Sequence, residues 1–178
     1  ALAAAAKVSV DIRGDGGGST GWDKGWKMCL RDRLLDGDHA LSLLMLMFRS
    51  YTSTNMMFTD VANRQVDGTF GALMGVAEML LQSHAGELAL LPALPTKWTN
   101  GSVSGLCARG GFEVDIQWQS NRLTLATILS KLGNPCRLRS KWPVNVWLGS
   151  NIVEAPMVLP GLYEFATHSG SNYTITPA

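Results

Sequence analysis

Two periodicities divide this chain. Between Gln65 and His84, the run QVDGTFGALMGVAEMLLQSH places Leu73, Val76, Ala77, Leu80 and Leu81 at i, i+3, i+4, i+7 and i+8. That spacing is one apolar stripe and predicts an amphipathic helix ending near Gln82-Ser83-His84, with Gly86 as the stop. Upstream, the alanine-rich stretch 1–12 reads as helix and stops at the glycine run beginning at Gly14. Ser19-Thr20 offers caps for a helix over Gly21 to Leu35, whose faces are marked by Trp22, Trp26, Cys29, Leu30 and Arg33. After a turn at Asp36-Gly37-Asp38, the Leu- and Met-rich run His39 to Phe48 predicts a partner helix lying antiparallel to it. Residues 49–64 keep no period and read as a long loop.

Past Gly86 the period becomes two. Leu88 to Leu94 reads as extended up to Pro95, and Trp98 to Gly101 as a turn. FEVDIQW, Phe112 to Trp118, alternates as a half-buried strand does, and Ser120-Asn121 turns it into a second strand, Leu123 to Leu129. Cys136 to Ser140, Val144 to Leu148, Gly161 to Ala166 and Tyr173 to Thr176 add short strands between Pro, Gly and Asn punctuation. The expected architecture is a helical half, 1–88, followed by an antiparallel β-sandwich, 89–178.

Composition narrows the function classes. With 46 % hydrophobic and 16 % charged residues, the chain is globular. Fifteen basic residues against 14 acidic ones leave a net charge of +1, which argues against nucleic acid or an anionic membrane as partner. No apolar run approaches the roughly 20 residues of a membrane span. The loop at Gly14-Asp15-Gly16-Gly17-Gly18 lacks the Lys-Ser/Thr ending of a phosphate-binding loop; close backbone approach at a pocket rim suits it better. Cys29, Cys107 and Cys136 have no metal-ligand spacing; pairing of Cys107 with Cys136, which leaves Cys29 a buried thiol, or three unpaired buried cysteines, are both open. No HExxH motif occurs, and no metal or cofactor is expected. The sequons at Asn100-Gly-Ser102 and Asn172-Tyr-Thr174 favour a secreted glycoprotein.

Chemistry concentrates at Asp67. It is expected just ahead of the helix, where unpaired N–H groups and the positive helix end favour a carboxylate; capping that helix is its simplest role. Trp22 and Trp26 offer flat surfaces for a sugar face, although for Trp22 core packing is the favoured reading. Glu78 and Gln82 are read as hydrogen-bonding neighbours of nearby loops, and His84 as closing the helix.

The ordered blocks RGDGGGSTGWDKGWK, RLLDGDHA, QVDGTFG, EMLLQSH, LLPALPTKW and GLCARGGFEVDIQW resemble the C-terminal part of glycoside hydrolase family 95, the inverting α-L-fucosidases and related α-L-galactosidases. The resemblance implies an α+β multidomain fragment: the last helices of an (α/α)6 catalytic barrel, then the C-terminal β-domain. It places Asp67 at the family aspartate that activates the attacking water together with upstream asparagines; Trp22, Trp26 and Thr69 are the candidate substrate contacts beside it. The acid would be a glutamate upstream of this chain, so 1–178 alone would be inactive. The implied partners are a carbohydrate substrate and the rest of the parent polypeptide, its upstream barrel helices and N-terminal domain. Two departures stand out: Val61-Ala62-Asn63-Arg64 replaces the family's HPPF, and Thr69 replaces its asparagine. They leave a non-catalytic carbohydrate-binding or structural relative as the alternative.

Overall fold

The computed structural model describes residues 2–15, 20–55, 57–59 and 65–178. The chain divides into two compact units, Ala1–Met79 and Leu80–Ala178.

The first unit holds helices α1 (Leu2–Arg13), α2 (Gly21–Arg33), α3 (Gly37–Ser50) and α4 (Val66–Leu80). Helix α1 ends at Gly14, whose φ of +60° lets its N–H reach the carbonyls of Val10 and Asp11. Thr20 is the N-cap of α2 but makes no side-chain cap bond, and Ser19 lies outside the described residues. The capping expected there falls instead to Gln65, whose Oε1 accepts the Trp22 N–H at 3.1 Å. Asp36, expected within a turn, is the N-cap of α3 and accepts from the His39 N–H.

Helices α2 and α4 run side by side in one direction. A methyl on Gly68 would stand 2.9 Å from the Gly21 carbonyl carbon, one on Gly25 3.1 Å from the Gly71 Cα, and one on Gly75 2.6 Å from the Met28 side chain. The matched order 21/68, 25/71 and 28/75 fixes the parallel sense. This corrects the expected stripe on α4 in part: Leu80 is buried and Val76 and Ala77 are half-buried, but the stripe is not the face that meets α2. Leu73 is 67 % exposed, whereas Gly68, Ala72, Gly75 and Met79 are buried, because contact at backbone distance selects the smallest residues and turns the larger ones away. The helix also stops earlier than its stripe predicts, at Leu80. Leu81 and Gln82 are already a strand, paired with Leu90 and Ala89, so Leu81 is buried in a sheet and His84 lies in the turn beyond it.

The buried face of α2 is ionic. Lys24, Lys27, Arg31 and Asp32 are each 2 % exposed or less, while Trp22 and Trp26 are 47 % and 42 % exposed. Lys24 and Lys27 both donate to Asp23 Oδ2, at 2.9 and 3.0 Å, so their charges meet a carboxylate that is itself mostly shielded.

The second unit is two sheets face to face. One has the order β1 (Leu81–Gln82), β2 (Leu88–Leu90), β6 (Cys136–Arg139), β10 (Leu162–Phe165), β9 (Met157–Leu159). The other has the order β3 (Gly101–Ala108), β4 (Phe112–Gln119), β5 (Arg122–Ser130), β11 (Ser171–Pro177), β7 (Val144–Leu148), β8 (Asn151–Val153). Val114, Ile116, Ile128 and Ile175 from the second sheet and Leu88, Leu138 and Leu162 from the first are 2 % exposed or less and fill the core. The rings of Phe165 on β10 and Tyr173 on β11 meet across it, 5.5 Å apart. The sheets are not wholly antiparallel as expected: β2 and β6 pair in parallel, Leu88 opposite Leu138. The strand anticipated over Leu88 to Leu94 ends after Leu90, because Leu91 takes φ +50°, a left-handed conformation that turns the chain out of the extended path.

The β4–β5 turn forms as read. Ser120 and Asn121 take φ +52° and +57°, and the Asn121 amide donates to the Pro95 and Trp98 carbonyls at 3.2 Å each. Of the two cysteine readings, the unpaired one holds as to pairing, but only Cys136 is fully buried. Cys107 is exposed on β3, and Cys136 is buried on β6 in the other sheet.

Candidate active site

Asp67 lies within the first turn of α4, one residue inside its start rather than ahead of it, and its side chain is exposed. A carboxylate there still faces the unpaired N–H groups of the helix end. The chain on either side is anchored to the start of α2. Gln65 receives the Trp22 N–H, and Gly68 leaves no room for a side chain against Gly21 and Trp22. The N-termini of two parallel helices therefore stand together, with Asp67 on one and Trp22 on the other.

The remaining predicted residues take different positions. Trp22, favoured as a core residue, is exposed; burial on α2 goes instead to glycines and paired ions. Trp26, one turn on, carries the Arg13 guanidinium 5.5 Å above its ring. Thr69 is half-buried, and its hydroxyl is engaged by backbone: it accepts the Phe58 N–H at 3.1 Å and donates to the Gln65 carbonyl at 3.3 Å. Thus Gln65 and Thr69 together tie the loop, α2 and α4. The glycine run 16–18 and Val61 to Arg64 lie outside the described residues.

A second cluster sits further along the same helix pair. Arg33 grips Glu78 with two hydrogen bonds, 2.6 and 2.7 Å, and Cys29 Sγ donates to the Gly71 carbonyl at 3.5 Å. Asp32, fully buried, has its carboxyl pushed up to about 8, first by burial, then by the Glu78 charge, with Arg33 opposing. The same surroundings raise the Cys29 thiol to about 11, burial first. Sequence reading missed Gln65 and Asp32. A glutamine one residue ahead of a helix start was a visible clue for the first; for the second, only its place on the α2 face later found to be buried would have served.

Among the described residues, no group of three or more His, Cys, Asp or Glu could hold a metal, and no helix is long and apolar enough to cross a membrane. The chemistry the arrangement offers is that of an exposed carboxylate in the first turn of α4, with the exposed Trp22 at the start of the neighbouring helix.

Comparison with known proteins agrees with that division. Residues 1–80 match the glycosyl hydrolase family 95 catalytic domain, and residues 82–175 match the glycoside hydrolase family 95 C-terminal domain. The chain belongs to glycoside hydrolase family 95. It is 41 % identical over 133 residues to alpha-L-fucosidase 2 of Arabidopsis thaliana, covering 68 % of this chain and 16 % of that protein. It is 30 % identical over 132 residues to the probable alpha-fucosidase A of Aspergillus niger, covering 66 % and 17 %. The chain thus spans about a sixth of the length of these curated relatives. A solved family 39 glycoside hydrolase from Bacteroides cellulosilyticus WH2 overlaps 65 % of this chain and 20 % of its own, at 10 % identity and a TM-score of 0.35, too low to carry a fold argument.

Proposed function

We propose that the protein to which this chain belongs hydrolyses terminal α-L-fucosyl or α-L-galactosyl linkages with inversion, and that Asp67 belongs to its water-activating base. The observation carrying this reading is the exposed Asp67 carboxylate in the first turn of α4, inside the segment that matches the family's catalytic domain. Inversion needs a second carboxyl roughly 6.5–9.5 Å away, as acid, with room for water between them. That acid would come from outside residues 1–178, on other helices of an (α/α)6 barrel. The parallel packing of α2 and α4 supports such a barrel, since helices separated by one return helix run alike within a layer. A secreted glycoprotein is the setting we favour, and the exposed side chains of Asn100 and Asn172 are compatible with glycans there.

In the full-length parent, Asp67→Asn is expected to abolish turnover of α-fucosides with little loss of stability. Unchanged turnover would overturn the assignment. One observation favours a second reading, a non-catalytic carbohydrate-binding relative: the Thr69 hydroxyl is held by backbone groups at the place of a substrate contact. Calorimetric titration of the parent with fucose and galactose separates the two, since binding without turnover supports only the second.

A further inference from the structure

We propose that the β unit carries its own ligand site, a pocket that takes a single hexuronic-acid residue through its carboxylate. The pocket has a volume of about 140 Å³ and is lined by Ser83, Arg109, Gly110, Phe112, Pro135 and Arg137 among others. It lies wholly within Leu80–Ala178 and does not rest on the role given to Asp67.

The frame is rigid although the charged tips are exposed. Arg109 precedes the β3–β4 turn, where Gly110 and Gly111 take φ +90° and +77°. The Arg109 N–H donates to Ser83 Oγ at 3.1 Å, the Gly110 carbonyl accepts from Asn134 Nδ2 at 3.1 Å, and the Gly111 carbonyl accepts the Lys131 N–H at 2.8 Å. Methyl groups on Gly110 or Gly111 would collide with Phe112, at 2.8 Å, or Leu132, at 2.5 Å. The backbone that presents Arg109 is therefore set before any ligand arrives, which lowers the cost of ordering it on binding.

Charge selects a monoanion. Glu87, also in the lining, is bound by Arg139 through two hydrogen bonds, and Glu164 stands 3.8 Å from Arg137 Nε, too far to hydrogen-bond. Arg109, Arg137 and Arg139 against Glu87 and Glu164 leave one positive charge. A carboxylate neutralises it and fits a guanidinium fork bidentately. A phosphate dianion would exceed it and meet Glu87.

Size and lining select a sugar ring to carry that carboxylate. The volume is well below the roughly 300–1,000 Å³ of drug-sized sites, which limits the ligand to about one ring. Leu88 and Phe112, 2 % and 5 % exposed, form an apolar floor with Pro135, suited to the CH face of a pyranose. Ser83 accepts from Arg109 and keeps its own proton to donate to a sugar oxygen.

The test is a titration of the ¹⁵N-labelled 178-residue chain with methyl β-D-glucuronide and methyl α-D-galacturonide. Neutral methyl glycosides, acetate and inorganic phosphate run in parallel. The expected result is saturable shifts of the Ser83, Arg109 and Gly110 amides with a uronide. Binding should be weakened at least about tenfold by loss of either the carboxylate or the ring, and by Arg109→Ala, as for removal of a charge-assisted hydrogen bond. No shift at those amides, phosphate or acetate binding as tightly as the uronide, or undiminished binding by Arg109→Ala would each overturn the proposal. The amide map of the unmodified chain decides the matter even where the variant misfolds. Loss of α-fucoside turnover in Asp67→Asn leaves this map unchanged, so the two readings fail separately.

Discussion

Gly25 and Gly71 meet backbone to backbone: a methyl on either would stand 3.1 Å from the other's Cα. The contact brings α2 and α4 together without interlocking large side chains, and the pairs beside it, Gly21 with Gly68 and Met28 with Gly75, keep the same spacing. Alanine normally favours a helix over glycine by up to about 1 kcal/mol, so the sign of a substitution here reports which effect wins. Overpacking of about 1–3 kcal/mol is expected to win. Gly25→Ala and Gly71→Ala should each lower the urea midpoint, and an increase in either would show that the helices slide apart freely.

Gln65 carries a different kind of load. Its side chain caps α2 from outside that helix, through the Trp22 N–H. Loss of a cap costs about 0.5–2 kcal/mol. Gln65→Ala should destabilise the helical unit by that amount. In the parent it should lower turnover through displacement of Asp67, whereas Gln65→Glu, which keeps the acceptor, should recover most of the stability. Equal stability of the two variants would remove the cap from the account.

Asp32 makes a pH prediction whose sign runs against the usual carboxylate. Its folded-state pKa is raised from 3.8 to about 8, so between those values the folded protein binds more protons at this site than the unfolded one. Its contribution is fully present below about pH 4 and is lost as pH rises towards 8, by no more than about 1.4 kcal/mol per pH unit. Asp32→Asn should flatten the fall in urea midpoint across that window. An unchanged slope would place the effect elsewhere.

The thiols predict a labelling pattern. Cys107 is exposed, while burial pushes the Cys136 thiol up to about 12 and leaves it without access to reagent. Native protein should show one fast thiol towards an aromatic disulfide reagent, and Cys107→Ser should remove it. Reducing agents should leave the melting temperature unchanged, whereas a drop would indicate a disulfide.

The β unit was largely legible because its signals are local. Alternation in Phe112–Gln119 and turn chemistry at Ser120-Asn121 depend on neighbours in sequence. Strands β1, β8 and β9, each two or three residues long, and β3, whose GSVSGLCA run carries two glycines and two serines, were missed because each is defined by its partners rather than its own pattern. The contact face of α4 was misread for a related reason. A stripe of leucines is the usual mark of a buried face, but glycine leaves no hydrophobic signal when it packs by nearness. Asp67 could be found from its motif; its anchoring by Gln65 and the burial of the Asp32 carboxyl depend on which helix lies beside which.

Arg31 shows how helix α1 is tied on. Its guanidinium, 2 % exposed, reaches Asp11 on α1 at 2.7 Å and stands 3.7 Å from Asp36 at the start of α3, while Val10 is the buried residue of α1. Hydrogen bonds from Lys7 and then Arg31 hold the Asp11 carboxyl below its ordinary value, so that tie is intact above the usual carboxylate range and fails as acid protonates it. Helix α1 is therefore expected to open as a unit of its own, ahead of global unfolding, as acid protonates Asp11; amide exchange over Leu2–Arg13 followed against pH would check it.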